Sequence, residues 1–184
     1  MTTAKRNIEL KARCADLAAA HAAALGAGAV PVRTMRQVDT YFNVQRGRLK
    51  LREIDDTRAE LIQYDRSDLA EARASDYRLV PVSDAQEMKA SLAAALGVSR
   101  EVRKRRELLM YHNVRIHLDE VEGLGTFIEF EAVVGPEADE VISRERLSEI
   151  QKAMGVRSAD YLAHSYSDLL ESTSILRDRK RNHR

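Results

Sequence analysis

NVRIHLDEVEGLGTFIEFEAVV, residues 113–134, is the stretch of sequence that decides the fold. Polar and apolar residues alternate on both sides of residues 122–125, which predicts two strands joined by a tight turn. Because side chains alternate between the faces of a strand, charge collects on one face and aliphatic residues on the other. The charged face holds Arg115, His117, Asp119, Glu129 and Glu131. A single hairpin could leave such a face in water, so the remaining strands decide where it points.

Length and composition limit the class of protein. The chain has 184 residues, which is enough for one domain with a real core. Its net charge of +1 does not favour a nucleic-acid binder, and no apolar run is long enough for a membrane span. The single cysteine, Cys14, excludes an intramolecular disulfide. We therefore expect a cytoplasmic protein without a membrane or nucleic-acid partner.

The same alternation recurs along the chain. It predicts further strands at residues 6–13, 37–44, 48–53, 58–66, 76–82 and 102–110, and helices at 16–25, 84–96, 136–154 and 159–170. About eight antiparallel strands can close into a barrel that holds a small ligand. The predicted fold class is α+β: an eight-stranded antiparallel barrel with flanking helices. We expect one domain over residues 1–171 and a basic, disordered tail over residues 172–184.

The sign of the charges indicates that the polar faces look into the barrel. In RLKLR, residues 48–52, the polar face is purely cationic, whereas in FIEFE, residues 127–131, it is purely anionic. A solvated surface would mix the two signs within each strand. Burying these charges without partners would be unfavourable, because the desolvation of each ion costs on the order of several kcal/mol. The pattern therefore predicts a wet tunnel for a polyanion and a metal ion, with the apolar faces covered by helices.

Side-chain chemistry assigns roles within this tunnel. Arg48, Lys50 and Arg52 lie about 7 Å apart along one face, a spacing that suits successive phosphates. Glu129 and Glu131 can bracket Mg²⁺ or Mn²⁺, with Asp119 facing them across the hairpin. No P-loop, nucleophile elbow or zinc-ligand spacing is present. These features favour metal-assisted phosphoryl or nucleotidyl transfer, in which His117 contacts phosphate rather than acting as a base.

Several segments together resemble the CYTH superfamily, the triphosphate tunnel enzymes that include class IV adenylyl cyclases and thiamine triphosphatases. The resemblance covers residues 5–170 and rests on NIELKAR (7–13), QVDTYF (37–42), GRLKLRE (47–53), ELIQYDR (60–66), KRR (104–106), VRIHLDEVEGLGTFIEFEAV (114–133) and SYSDLL (165–170). It is closest to the class IV cyclase branch. The resemblance implies a tunnel that holds a triphosphate on basic side chains and a divalent metal on glutamates, and it also raises the expectation of a homodimer.

The resemblance also implies a set of site residues. The expected metal ligands are Glu9, Glu129 and Glu131, with Asp119 on a second metal or its water. The expected triphosphate-binding residues are Lys11, Arg13, Arg48, Lys50, Arg52, Arg66, Lys104, Arg106, Arg115 and His117. Among these, Lys11, Arg115 and Asp119 are the expected catalytic residues.

Two positions depart from the family pattern. The signature Glu-x-Glu-x-Lys begins with Asn7 here, so a neutral oxygen replaces one carboxylate. A lysine expected near Tyr64 is missing, and Arg66 is its substitute. The expected reaction is cyclisation of ATP to cyclic AMP and pyrophosphate. A triphosphatase acting on tripolyphosphate, thiamine triphosphate or a nucleotide is the alternative, and a non-catalytic nucleotide or polyphosphate binder is the third hypothesis.

Overall fold

The computed structural model describes residues 5–66 and 71–181, without the side chains of Arg66, Arg73 and residues 174–181. Eight strands form a closed barrel in the order β1-β5-β4-β3-β2-β6-β7-β8. The strands are β1 (Lys5–Arg13), β2 (Val30–Phe42), β3 (Arg48–Ile54), β4 (Arg58–Arg66), β5 (Arg73–Val82), β6 (Val98–Tyr111), β7 (Val114–Val121) and β8 (Gly125–Val134). Every pairing is antiparallel, and β8 returns to β1 to close the barrel. The predicted fold class is confirmed.

Four α-helices flank the barrel among the residues that the structure describes. They are α1 (Leu17–Gly26), α2 (Ala85–Leu96), α3 (Glu140–Ala153) and α4 (Tyr166–Arg181), and a 3₁₀ turn at Ser158–Asp160 precedes the last of them. The side chains of Asp16, Asp84 and Asp139 cap the first three helices by accepting a backbone N–H three residues on. None of the described helices is long and apolar enough to cross a membrane.

The boundaries of several elements differ from the predicted ones. Strands β2 and β6 are longer than expected because they pair with each other from Val30 opposite Met110 to Phe42 opposite Val98. The third helix begins at Glu140 rather than residue 136, since Asp139 is its cap. The last helix was predicted to end at residue 170, whereas α4 continues to Arg181, into the predicted tail, and residues 182–184 lie outside the described residues. The favourable helix propensities of Leu176, Arg177, Arg179 and Lys180 are consistent with this extension.

Apolar residues cover the outside of the barrel under the helices. The outward faces of β1, β7 and β8 pack beneath α1 and α3, and residues such as Ile8, Ile116 and Phe130 are fully buried there. Leu51 and Phe42 lie beneath α2 in the same way. A third cluster, which includes Val102, Phe127 and Tyr166, is formed by inward-facing residues and closes one part of the interior. The rest of the interior is charged, as the sequence predicts.

Candidate active site

A charged cavity lies in the open part of the barrel interior. The space in it that is open to the centre of a water-sized sphere is about 180 Å³, and its mouth opens to solvent. Its cationic lining residues are Lys5, Lys11, Lys50, Arg52, Lys104, Arg106 and Arg115, and its acidic ones are Glu9, Glu129 and Glu131. Among the described residues cations therefore outnumber carboxylates, which suits a polyanionic ligand.

Strands β2, β3 and β6 build what we call the cationic wall, composed of Lys50, Arg52 and Lys104 around Asp39. Asp39 is fully buried and accepts hydrogen bonds from all three cations, at 3.0 Å from Lys50 Nζ, 2.8 Å from Arg52 Nε and 2.9 Å from Lys104 Nζ. The strand pairing causes this arrangement, because Asp39 lies directly opposite Arg52. One carboxylate thus holds three cations together before any ligand arrives.

The burial of the cationic wall perturbs its ionisation. Burial opposes the charge on Asp39, but Arg52, Lys104 and Lys50 outweigh it and hold the Asp39 pKa well below its usual range. Burial lowers the pKa of Lys104 to about 7, and the attraction of Asp39 only partly opposes that change. Lys104 is therefore a cation that can gain or lose its proton near neutral pH.

Arg106 connects the cationic wall to the opposite side of the cavity. Its guanidinium donates to both oxygens of Asp119 at 2.6 Å and to Glu129 Oε2 at 2.7 Å. The hydroxyl of Tyr166, from α4, donates to Asp119 Oδ2 at 2.7 Å. Despite complete burial, the charge of Arg106 lowers the pKa of Asp119 to about 2. The oxygens of Asp119 are thus directed at Arg106 and Tyr166, and this carboxylate fixes the position of Arg106.

Strands β1 and β8 build the acidic wall, composed of Glu9, Glu129 and Glu131. Glu129 Oε1 accepts from Lys11 Nζ at 2.8 Å, and Arg115 Nη1 lies 3.7 Å from Glu131 Oε2. Burial opposes the charge on Glu129, but Lys11 and other neighbours hold its pKa well below the usual range. Positive neighbours also outweigh burial at Glu131 and lower its pKa, so Glu129 and Glu131 are both ionised beside Glu9 in one part of the cavity.

The acidic wall fits a hard divalent cation. Glu9 lies directly opposite Glu131 across the pairing of β1 with β8, and like charges in that position repel unless a cation lies between them. Asn7, on the same face of β1, is only 3% exposed, and its side-chain oxygen has no hydrogen-bond partner among the described residues. Carboxylate and amide oxygens are the ligands that Mg²⁺ and Mn²⁺ take. The residues present are thus those that such an ion needs.

The structure brings most of the predicted site residues into the lining of the cavity, but four described ones are not part of it, and Asp119, which contacts Arg106 and Tyr166 instead, is one of the four. Arg13 is exposed at the end of β1, with its guanidinium carbon 5.7 Å from the centre of the Phe127 ring. Arg48 donates to Asp168 of α4 at 2.9 Å and anchors that helix to the barrel. His117 is 5% exposed, with Nδ1 3.8 Å from an oxygen of Glu129 and 3.8 Å from one of Glu131, and it is not among the lining residues. The side chain of Arg66 lies outside the described residues.

Two residues of the site carried no predicted role. Asp39 is two residues before Tyr41 in QVDTYF, so the alternation places both on the same face of the strand. Its hydrogen-bond partners, however, depend on the strand register, which the alternation does not predict. Tyr166 lies in SYSDLL, and its ring is 3.6 Å from Lys11 Nζ and 5.5 Å from Lys104 Nζ. Nothing in local sequence indicates that the last helix returns to the first strand.

Comparison with known proteins identifies the family. The sequence matches the model of the CYTH domain over residues 5–166, which is most of the chain. The chain belongs to the CYTH domain family. It is therefore a member of the triphosphate tunnel enzymes, and the expected resemblance is confirmed. No curated protein matches the sequence.

Solved structures of CYTH-like proteins share the barrel at low sequence identity. The PH1012 protein of Pyrococcus horikoshii is 21% identical, with a TM-score of 0.79 over 89% of this chain and 98% of the other. A candidate adenylate cyclase of Vibrio parahaemolyticus is 20% identical, with a TM-score of 0.76 over 92% and 99%. A candidate adenylyl cyclase of Hippeastrum, described as revealing a dominant triphosphatase activity, is 17% identical, with a TM-score of 0.67 over 92% and 96%. At these identities the likeness establishes the fold alone.

Proposed function

We propose that this CYTH protein is a Mg²⁺- or Mn²⁺-dependent nucleotidyl cyclase that converts ATP to cyclic AMP and pyrophosphate. The observation that carries the proposal is the juxtaposition of the cationic wall and the acidic wall within one cavity. A triphosphate needs cations along its chain and a divalent ion bridging its oxygens, and the two walls offer both.

The cationic side chains would bind the phosphate chain. Lys50 and Arg52 of β3 and Lys104 of β6 converge on Asp39, so a phosphate group there could replace part of the contact with Asp39. Arginine offers paired donors and lysine a point charge, which together suit phosphate oxygens. Lys11 and Arg115 lie beside the acidic wall and would contact the phosphate nearest to the metal.

Glu9, Glu129 and Glu131 would hold the metal ion, with Asn7 next to them. When bound there, the ion neutralises charge that develops on the phosphate oxygens during the reaction. Asp119 would act indirectly, because its two oxygens hold Arg106 in place between the walls. The carboxylates and cations of this chain thereby orient the triphosphate and offset its charge.

An aromatic and aliphatic patch beside Lys50 favours a nucleoside triphosphate over a bare polyphosphate. Tyr41, Ile62, Tyr64, Tyr77 and Leu79 line the cavity and pack against one another. Lys50 Nζ lies 5.4 Å from the Tyr41 ring centre and 5.5 Å from that of Tyr64. A base stacked on such a patch would leave its phosphates on the cationic wall, since stacking surfaces accept any base.

Cyclisation follows if the ribose reaches the α-phosphate. The 3′-oxygen forms a bond to the α-phosphorus while the bond between that phosphorus and the β-bridging oxygen breaks. Pyrophosphate leaves, and the proton of the 3′-hydroxyl passes to solvent. The chain contributes by holding these atoms in line, the effect of proximity and orientation.

Triphosphatase activity is the second candidate. The same walls would bind a triphosphate without using the aromatic patch, and water would then attack the terminal phosphorus. The Hippeastrum relative, with its described triphosphatase activity, supports this alternative. The two reactions differ in which phosphorus lies beside the acidic wall.

Product analysis tests the proposal. The purified protein is incubated with ATP, tripolyphosphate or thiamine triphosphate in the presence of Mg²⁺ or Mn²⁺, and products are separated by chromatography. We expect cyclic AMP and pyrophosphate from ATP in equal amounts. Orthophosphate from tripolyphosphate or thiamine triphosphate, without cyclic AMP, would instead support the triphosphatase. Tight binding without turnover of any of them would overturn both and leave a non-catalytic binder.

A further inference from the structure

We infer that His117 is a direct ligand of the divalent metal, so that the site offers one imidazole nitrogen together with carboxylate oxygens. This inference deepens the proposed function, on whose metal dependence it rests. It also changes the expected role of His117 from a phosphate contact to a metal ligand. The consequence is a preference for a transition ion such as Mn²⁺ over Mg²⁺.

The position of the His117 nitrogen carries the inference. Nδ1 lies 3.8 Å from Glu129 Oε2 and 3.8 Å from Glu131 Oε1, both beyond hydrogen-bond distance. Ligand atoms of the three residues all lie within 4.8 Å of one another. Atoms bound ~2.1 Å from one ion are about 3.0 Å apart when adjacent and about 4.2 Å apart when opposite. Side-chain movements of a few tenths of an ångström would therefore let one ion contact all three.

The strand register places His117 at this point and leaves its nitrogen unsatisfied. His117 lies opposite Glu129 in the pairing of β7 with β8, and its neighbour on the same face, Arg115, lies opposite Glu131. The imidazole is 5% exposed, and no described residue forms a hydrogen bond with Nδ1. A buried lone pair facing two carboxylates is unfavourable unless a proton or a cation lies between them.

Glu129 can serve such an ion although its oxygens already have partners. Oε1 accepts from Lys11 and Oε2 accepts from Arg106. An ionised carboxylate has about four lone-pair positions, so each oxygen retains a second one. The contacts with Lys11 and Arg106 can then orient Glu129 toward His117 and Glu131.

The donor set determines which ion is preferred. Carboxylates and water suit Mg²⁺, whereas imidazole suits transition ions. Removing the imidazole while keeping the carboxylates should therefore weaken Mn²⁺ binding more than Mg²⁺ binding. If the glutamates alone bound the ion, removing the imidazole would not weaken Mn²⁺ binding more than Mg²⁺ binding.

Pulsed electron paramagnetic resonance of the Mn²⁺-loaded protein detects the nitrogen directly. Full-length protein is titrated with Mn²⁺ alone, and the spin-echo modulation of the bound ion is recorded. We expect a nitrogen coupling that changes when histidine is labelled with ¹⁵N. This measurement needs no variant, so it remains decisive even if substitutions at position 117 unfold the protein.

A matched pair of variants assigns the nitrogen and measures its effect. His117→Gln should abolish the coupling and weaken Mn²⁺ binding by about tenfold or more, since even outer partners of metal ligands contribute ~10–100-fold. Mg²⁺ affinity, measured by competition, should fall by a smaller factor. His21→Gln is the control, because His21 also faces a carboxylate, with Nδ1 3.1 Å from Glu107 Oε1, but lies outside the cavity. That variant should behave as the unmodified protein does.

The outcomes separate this inference from the proposed function. Bound Mn²⁺ without nitrogen coupling, together with metal-dependent turnover, would overturn the ligand role of His117 and leave the proposed function standing. An imidazolium ion pair between His117 and the glutamates would give that same result. Failure of the unmodified protein to bind Mn²⁺ would overturn the inference and the metal dependence together.

Discussion

The charged side chains of the two walls differ in how closely they contact partners of opposite charge. In the cationic wall Asp39 accepts from Lys50, Arg52 and Lys104 at hydrogen-bond distances, so each cation already has a carboxylate partner inside the protein. In the acidic wall the contacts of Glu131 are long, at 3.7 Å to Arg115 and 3.8 Å to His117. Asp39 is thus a fixed part of the fold, whereas Glu131 gains from a ligand. Substitution of Asp39 should mainly change stability, and substitution of Glu131 should mainly change activity.

The largest expected effect is the loss of stability in Asp39→Asn. Two buried lysines and the partly buried Arg52 would lose their carboxylate, and breaking a buried ion pair costs about 3–5 kcal/mol. Urea unfolding measures this loss, and Asp56→Asn is the control because its ion pair with Arg36 is exposed. Tripolyphosphate should stabilise Asp39→Asn more than the unmodified protein, since an added anion replaces the missing charge. Equal stabilisation of both proteins would contradict this account of the cationic wall.

Glu131→Gln should give the next largest effect, on turnover rather than stability. Removing a carboxylate from a metal site forfeits several kcal/mol of charge stabilisation, or about 10²–10³-fold in rate. Glu131 is a sharper choice than Glu129, because Glu129 also holds Lys11 and Arg106 and its removal would destabilise the fold. Steady-state rates with ATP check the prediction. The control is Glu120→Gln, an exposed position on the same hairpin, and equal rates in both variants would remove Glu131 from the metal site.

Arg52→Ala should weaken triphosphate binding by about 2 kcal/mol, or roughly 30-fold in Kd, if its guanidinium donates to phosphate. Calorimetric titration with tripolyphosphate measures the change. Arg36→Ala is the matched control, since Arg36 also pairs with an aspartate but is exposed outside the cavity. An unchanged Kd in Arg52→Ala would exclude this arginine from the binding of phosphate.

The smallest expected effect is a pH dependence of binding. The free protein holds the pKa of Lys104 at about 7, and a bound anion favours the charged lysine and raises it. Above pH 7 binding should therefore take up a proton, and affinity should fall by up to about tenfold per pH unit. Calorimetry at pH 8 in two buffers of different ionisation enthalpy measures the proton. Lys104→Arg should abolish the uptake, because arginine stays charged; uptake that persists in this variant would assign the proton to another group.

Period-two alternation was sufficient to predict the barrel and the direction of most charged side chains. The charged residues of RLKLR and FIEFE that line the cavity are on the faces that the sequence predicts. The face on which a side chain lies depends only on whether its position along the strand is odd or even. Position along the barrel axis depends on register, which the alternation does not contain. Arg13 and Arg48 follow the pattern of their strands but are not among the lining residues.

The side-chain contacts of the inward-facing residues could not be predicted from the sequence either. Asp119 was expected near a metal, but its oxygens contact Arg106 and Tyr166, one on a neighbouring strand and one on the last helix. Asp39 received no role because its three partners come from β3 and β6, which only the closed sheet brings together. These contacts join segments far apart in sequence, so no local pattern could reveal them.

The contact of Tyr166 with Lys11 has a consequence for how the protein folds. Lys11 belongs to the first strand, and Tyr166 begins the last helix, so the cavity is complete only when the two ends of the domain meet. Closing so long a segment of chain is entropically costly, and folds dominated by such distant contacts form slowly. During refolding, burial of the apolar outer face should therefore precede the appearance of triphosphate binding, and the delay between them reports the final closure of the barrel.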